Sequence, residues 1–189
     1  MERAEALEVI LANWPEGAPA LFATGVISRA AQHVSDRAAN LYVMGSMGLV
    51  SSVGLGVALA RPGQPVMAVE GDGGLLMELG TLPLAAHLAP ANYLHVILDN
   101  GAYESTGGQA TISRDWTLSD AADRCGYRQV ARASSPGELA EAVRGFVAEP
   151  AGPSLVHVKT VSRPAAPFPP RIFLSPEQLT ERFRGAVLK

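Results

Sequence analysis

The chain has 189 residues, 48% of them hydrophobic and 17% charged, with a formal net charge of −3. This excludes a disordered chain, which combines low hydrophobicity with high net charge, and the length fits one domain. The acidic balance argues against nucleic acid as a partner, because phosphate binding leaves a basic face.

No apolar run reaches the roughly 18 residues of a membrane helix; the longest, Leu49 to Ala60, is broken by Ser51, Ser52, Gly54 and Gly56. A single cysteine, Cys125, and an N-terminus without signal-peptide order predict a cytoplasmic protein.

Along the chain the elements alternate. Glu2 to Asn13 carries Ala6, Leu7, Val9 and Ile10 at helical spacing. Short apolar runs follow at Ala20 to Ala23, Leu41 to Met44, Val66 to Val69, Leu94 to Leu98 and Leu155 to Val158. Each is bounded by turn formers and reads as a strand buried on both faces. Helical stretches lie between them: Met47 to Ala60, Leu75 to His87, Leu118 to Cys125 and Glu138 to Val147, the last opened by Ser135-Pro136. The stretch Arg163 to Pro170 holds four prolines and predicts a surface crossing, after which Ser175-Pro176-Glu177 caps a last helix. The expectation is one α/β domain over residues 1–189, a doubly wound parallel sheet with helices on both faces, with 163–189 as a proline-rich crossing and C-terminal helix.

Four strand ends carry glycine-rich or polar turns, at 24–25, 45–48, 71–74 and 99–103. In open parallel sheets ligands bind beyond the carboxyl ends of the strands. Glycine lets backbone N–H groups approach an anion there. One such turn is ordinary chain reversal; four on one edge favour a phosphorylated ligand. Within them, Gly71-Asp72-Gly73 is followed, after 26 residues, by Asn100 at the next strand end. A carboxylate, a side-chain amide and a backbone carbonyl on adjacent strand ends suit Mg²⁺, which takes oxygen ligands and shares them with a diphosphate.

With this spacing, and with Gly45-Ser46-Met47-Gly48 upstream, the chain resembles the thiamine-diphosphate enzymes over roughly Pro19 to Thr160, in their diphosphate-binding domain. The resemblance implies thiamine diphosphate and Mg²⁺ as cofactors and the thiamine-diphosphate-binding fold. It implies Asp72, Asn100 and the Ala102 carbonyl as metal ligands. It places Thr24, Gly25, Ser28, Gly71, Gly73 and Gly74 at the diphosphate. Gly45 would accept from the pyrimidine amino group, beside Ser46, and Met47 would support the folded rings. Two departures stand out: Gly74 where many members have serine, and Asp99 before Asn100 where many have a second asparagine. Asp99 reads as a turn-forming side chain. Residues 99–109, with Gly80-Thr81-Leu82, look most like the phosphonopyruvate and sulfopyruvate decarboxylases.

In that family the activating glutamate comes from a pyrimidine-binding domain, which this chain lacks. The resemblance therefore implies the β subunit of a hetero-oligomer whose α subunit brings the pyrimidine domain, acting on a small 2-oxo acid. The small residues Gly48, Ser52, Gly56 and Ala60 repeat every four positions; they suit either close approach of a partner or packing on the sheet. No catalytic residue is evident within the chain. Tyr103, Ser105 and Thr106 are candidate substrate contacts, while Glu104 should point elsewhere if this stretch is helical. His87, His95 and His157 read as packing residues, and His33 is the histidine nearest the inferred pocket. Arg29 and Arg114 suit a sulfonate or phosphonate but read first as solvated charges. Carboligation, and a non-catalytic cofactor-binding subunit, are the alternatives to decarboxylation.

Overall fold

The computed structural model describes residues 1–161 and 168–188. Its centre is a six-stranded sheet in which every neighbouring pair is parallel. The strands are β1 (Ala20–Phe22), β2 (Asn40–Tyr42), β3 (Val66–Gly71), β4 (Tyr93–Asp99), β7 (Gln129–Ala133) and β8 (Ser154–Lys159), in the order β2-β1-β3-β4-β8-β7. A two-stranded antiparallel ribbon, β5 (Ala102–Tyr103) with β6 (Gln109–Ala110), follows β4. The strand order reverses direction between β1 and β3, which opens a crevice at their carboxyl ends.

Alternate residues of each strand face opposite layers. Met67 and Val69 of β3 pack with α1 (Arg3–Asn13), α2 (Val26–Val34) and α7 (Pro136–Ala148). Val66 and Ala68 pack under α3 (Leu49–Ala60), α4 (Asp72–Met77), α5 (Thr81–Leu88) and α6 (Leu118–Cys125). The last helix, α8 (Pro176–Val187), starts at the Ser175 capping box and contributes Leu179 to one layer and Phe183 to the other. The sheet is thus covered on both faces, as the apolar runs require. Among the described residues no helix is long and apolar enough to cross a membrane.

Three elements depart from the sequence reading. The expected helix from Leu75 to His87 is two helices, because the chain turns at Glu78–Gly80. Helix α2 was not expected; its apolar positions 26, 27, 30, 31 and 34 do form one face, hidden behind the Thr24-Gly25 turn. Strand β7 is a partly exposed edge in which Gln129 and Arg132 interrupt the apolar residues, so it lacks the apolar run by which the central strands announce themselves. Residues 163–167 of the proline-rich stretch lie outside the described residues, and 168–170 carry no regular element.

Of the small residues on α3, Gly54 makes the close contact with the sheet: a Cβ there would lie 2.8 Å from Ala68 Cβ. Gly56 and Ala60 instead face outward with Leu49 and Val53, all exposed, so positions 49, 53, 56 and 60 form one apolar stripe on the outside of the molecule.

Candidate functional site

One cleft lies across the carboxyl ends of β1, β3 and β4. It is lined by Thr24 after β1, Gly71 to Gly74 at the β3–α4 junction, and Asn100, Ala102, Tyr103, Glu104 and Ser105 after β4, with Met47 and Arg3 at its rim. The β3–α4 junction has no loop: Gly71 ends the strand and Asp72 begins the helix. The carboxylate of Asp72 is consequently buried at the cleft floor, with 1% of the residue exposed.

Asp72 is held by hydroxyls. Thr111 donates to its Oδ2 at 2.5 Å, and the Ser113 hydroxyl lies 3.0 Å from the same oxygen and 2.8 Å from Asp99 Oδ1. The Ser113 hydroxyl has one proton to share between two buried carboxylates. Asp99 has further partners: His157 Nε2 at 2.7 Å, Lys159 Nζ at 2.5 Å and the Gly101 backbone N–H at 2.9 Å. Burial opposes its charge, but the hydrogen bonds from His157, Lys159 and Ser113 outweigh burial and hold its carboxyl well below the ordinary range. Burial and the nearby Asp99 charge push the Asp72 carboxyl up, against hydrogen bonds from Thr111, Ser113 and the Asn100 backbone.

Among the described residues Asp99 thus has a cation, Lys159, against it, and Asp72 has none. A buried carboxylate without a positive partner is costly, and a divalent cation supplies one. The donor set fits, because the Asn100 amide and the Ala102 backbone reach the same wall.

Asn100 is itself fixed. Its Oδ1 accepts from Ala102 N–H at 3.0 Å, and its Nδ2 donates to Glu104 Oε2 at 3.0 Å. Arg3 pairs with that same oxygen of Glu104. Residues 104–106 form one 3₁₀ turn, which swings the Glu104 carboxylate inward. The sequence reading turned Glu104 away from the site, and the structure corrects it: its side chain is 6% exposed and lines the cleft.

The cradle between the metal ligands and the rim is built on glycine. A Cβ at Gly73 would lie 2.5 Å from Tyr103 Cε1 and 3.3 Å from Met47 Cε. The 45–48 loop reaches the cleft because Gly45, Ser46 and Gly48 all adopt positive φ, and Gly45 N–H donates to Thr24 Oγ1 at 3.1 Å.

Other expected residues sit further back. Ser28 is buried, with its hydroxyl 2.9 Å from the Phe22 carbonyl and 2.8 Å from that of Ala23; its proton ties the turn together instead of facing the cleft. Gly25 and Gly45 line an adjoining bay that shares Thr24 with the cleft. Ser46 is exposed, and Thr106 bonds to Tyr103 O and Gln109, so neither is in the cleft lining. No histidine lines the cleft: His33 and His87 are exposed, while His95 and His157 are buried against Glu70 and Asp99. Arg114 is exposed but donates to the Gly101 carbonyl at 2.9 Å, so it supports the β4 turn.

Sequence reasoning missed Thr111, Ser113, Lys159 and Arg3. Thr111 and Ser113 lie 39 and 41 residues from Asp72 in sequence, and nothing in their neighbourhood marks them. Lys159 and His157 alternate on β8 toward the end of β4, a signal that strand pairing makes visible only once the sheet order is known.

Residues 23–158 match the family model "Thiamine pyrophosphate enzyme, C-terminal TPP binding domain". The chain is 43% identical over 185 residues to the phosphonopyruvate decarboxylase of Streptomyces hygroscopicus, covering 96% of this chain and 45% of that protein. It is 35% identical over 191 residues to the sulfopyruvate decarboxylase subunit beta of Methanothermobacter thermautotrophicus, covering 98% of this chain and 97% of that subunit. It therefore spans about half the length of the phosphonopyruvate decarboxylases it matches and nearly all of that beta subunit. Among solved structures, the thiamine diphosphate-dependent 4-hydroxybenzoylformate decarboxylase of Rhodococcus jostii RHA1 superposes with a TM-score of 0.73 at 21% identity, covering 87% of this chain and 33% of that one. The chain belongs to the thiamine pyrophosphate enzymes, as their C-terminal TPP-binding domain.

Proposed function

We propose that the chain is the β subunit of a heteromeric thiamine-diphosphate-dependent 2-oxo acid decarboxylase, acting on a 3-substituted pyruvate such as phosphonopyruvate or sulfopyruvate to give an aldehyde and CO₂. The observation that carries this reading is the pairing of Asp72 and Asn100 at the ends of β3 and β4, with Gly73 and Gly74 between them and the rim. Relatives named for both activities support the substrate class, and the length match to beta subunits supports the division of labour.

In this reading Asp72, Asn100 and the Ala102 carbonyl hold Mg²⁺. Thr24, Gly25, Gly71, Gly73 and Gly74 face the diphosphate, and Ser28 steadies their turn from behind. The Gly45 carbonyl accepts from the aminopyrimidine, Ser46 shapes the loop, and Met47 lies under the rings. Bound thiamine diphosphate supplies the electron sink for the pair left by the departing carboxylate. The residues of this chain orient it: Glu104 and Arg3 fix the Asn100 amide, and Thr111 and Ser113 fix the Asp72 carboxylate. Tyr103, packed on Gly73, covers the floor against water. Tyr103 and Ser105 are in reach of a substrate in the cleft, and Thr106 shapes their turn.

The partner is an α subunit carrying the pyrimidine domain and its glutamate. Its contact surface includes the outward stripe of α3 together with Met47 and Met77, which leave apolar area exposed beside the cleft. The test is CO₂ release from phosphonopyruvate or sulfopyruvate by the chain alone, the α subunit alone and their mixture, with Asp72→Ala alongside. Activity is expected only in the wild-type mixture. Turnover by this chain free of any partner, or wild-type cofactor affinity in the Asp72→Ala complex, would refute the reading.

A further inference from the structure

The bay next to the cofactor cleft carries two arginines. It lies beyond the carboxyl ends of β1 and β2 and is lined by Thr24, Gly25, Arg29, Met44, Gly45 and Arg171 among others, with no acidic residue among the described residues of its wall. Arg29 stands on the first turns of α2, and Arg171 comes from the segment that precedes α8. Two remote parts of the sequence thus deliver a guanidinium to one concavity on a chain of net charge −3.

Several other arginines are held by described residues, whereas the side chains of Arg61, Arg124, Arg128 and Arg184 have no described acceptor. Arg3 pairs with Glu104, Arg37 donates to the Leu11 and Trp14 carbonyls, Arg132 pairs with Asp120, and Arg182 pairs with Asp36. No described residue accepts a hydrogen bond from the side chain of Arg29 or Arg171. Both guanidinium groups are available to a ligand, and Thr24 joins their bay to the cleft in which Asp72 and Asn100 lie.

We infer that Arg29 and Arg171 form the subsite for the distal anion, a phosphonate or sulfonate, of a 3-substituted 2-oxo acid. This rests on the decarboxylase reading for the substrate class. A guanidinium presents paired N–H donors that match two oxygens of a tetrahedral XO₃ group, and two such groups from different segments grip it from two sides. The scissile carboxylate is the wrong occupant. Its charge must leave as CO₂, so a pair of cations on it would stabilise the reactant and oppose the reaction. The distal group keeps its charge throughout, so holding it fixes the substrate without that penalty. The diphosphate of the cofactor offers the same oxygen chemistry, and the experiment separates the two.

Arg29→Gln and Arg171→Gln are made in the full chain. The first arm measures, by calorimetry, binding of ethylphosphonate and ethanesulfonate to the chain, and binding of thiamine diphosphate with Mg²⁺ in parallel. The second measures kcat and KM of the complex with phosphonopyruvate and sulfopyruvate. Each substitution should weaken probe binding and raise KM by about 10- to 100-fold, the usual scale for one lost charged hydrogen bond. kcat should change less than threefold and cofactor affinity less than twofold. Probe binding and KM both unchanged would overturn the proposal. A fall in cofactor affinity as large as the rise in KM would also overturn it, assigning the arginines to the diphosphate. If the wild-type complex decarboxylates neither acid, the decarboxylase reading fails by itself, while the probe arm still decides whether the bay binds such anions.

Discussion

Gly48 abuts the carbonyl of Gly74: a Cβ at position 48 would stand 2.9 Å from that oxygen. The loop after β2 is therefore braced on the first turn of α4, and the two halves of the cofactor cradle share one contact. Gly48 also sits at φ 97°, a conformation that costs other residues roughly 1–2 kcal/mol. Gly48→Ala should lose about that much stability in urea denaturation and should weaken thiamine diphosphate binding as well. A variant with wild-type stability and wild-type binding would show that the two loops are independent.

Glu104 accepts from the Asn100 amide, so at the proposed Mg²⁺ site it would act on the metal through Asn100. Removal of a residue that orients a ligand typically costs about 10- to 100-fold in metal affinity. Glu104→Ala should raise the Mg²⁺ concentration for half-saturation of the cofactor complex by about 10-fold or more. Arg3→Met should have a smaller effect in the same direction, because Glu104 keeps Asn100 after losing Arg3. Cofactor affinity at saturating Mg²⁺ should stay near wild type, and a loss there would place Glu104 on the cofactor itself.

Gly74 stands where serine is common in the family, and its neighbour supplies the reason. Glu70 is fully buried, gives Oε1 to His95 at 2.8 Å, and has an unpartnered Oε2 that a Cβ at position 74 would meet at 2.8 Å. Gly74→Ala should destabilise the fold by about 1–3 kcal/mol through overpacking. Glu70→Ala should also destabilise it, by leaving His95 without its partner. The double variant should be more stable than the sum of the two, with a coupling of roughly 0.5–3 kcal/mol as expected for residues in contact. Strict additivity by urea denaturation would dismiss the contact as the reason for glycine.

Met47 is predicted to act on the conformation of the bound cofactor and not on its affinity. Its Cε lies over the Gly73 backbone at the cleft rim, and a flexible thioether fills irregular space well. Met47→Ala should change cofactor affinity little but slow hydrogen–deuterium exchange at the thiazolium carbon of the assembled complex. The scale is about 10²-fold, the cost of misplacing a reacting group by about an ångström. Exchange at the wild-type rate would place the support elsewhere.

The central fold was legible because β1, β2, β3, β4 and β8 are short apolar runs ending in turn formers, and a strand buried on both faces has no other way to be written. The ends of the same strands disclosed Asp72 and Asn100. What the sequence hid depends on distance or on solvent. Strand β7 breaks its apolar residues with Gln129 and Arg132, which an edge strand can leave partly exposed. Thr111 and Ser113 are two hydroxyls among many until the ribbon β5–β6 folds back over Asp72. Glu104 was turned away only on the condition that its stretch is helical; one 3₁₀ turn stands there instead, and the side chain lines the cleft. His95 and His157 were read correctly as interior residues, although each is held by a carboxylate and not by apolar packing alone.

The outward stripe of α3 also bears on how the chain behaves in solution. Leu49, Val53 and Leu59, with Met77 nearby, are each more than a third exposed, and Gly56 and Ala60 leave the surface between them flat. In the proposed heteromer, chain produced in excess over the α subunit is expected to stick to itself along this face at the mouth of the cleft. Colloidal stability and catalytic competence would then rise together on titration with the counterpart.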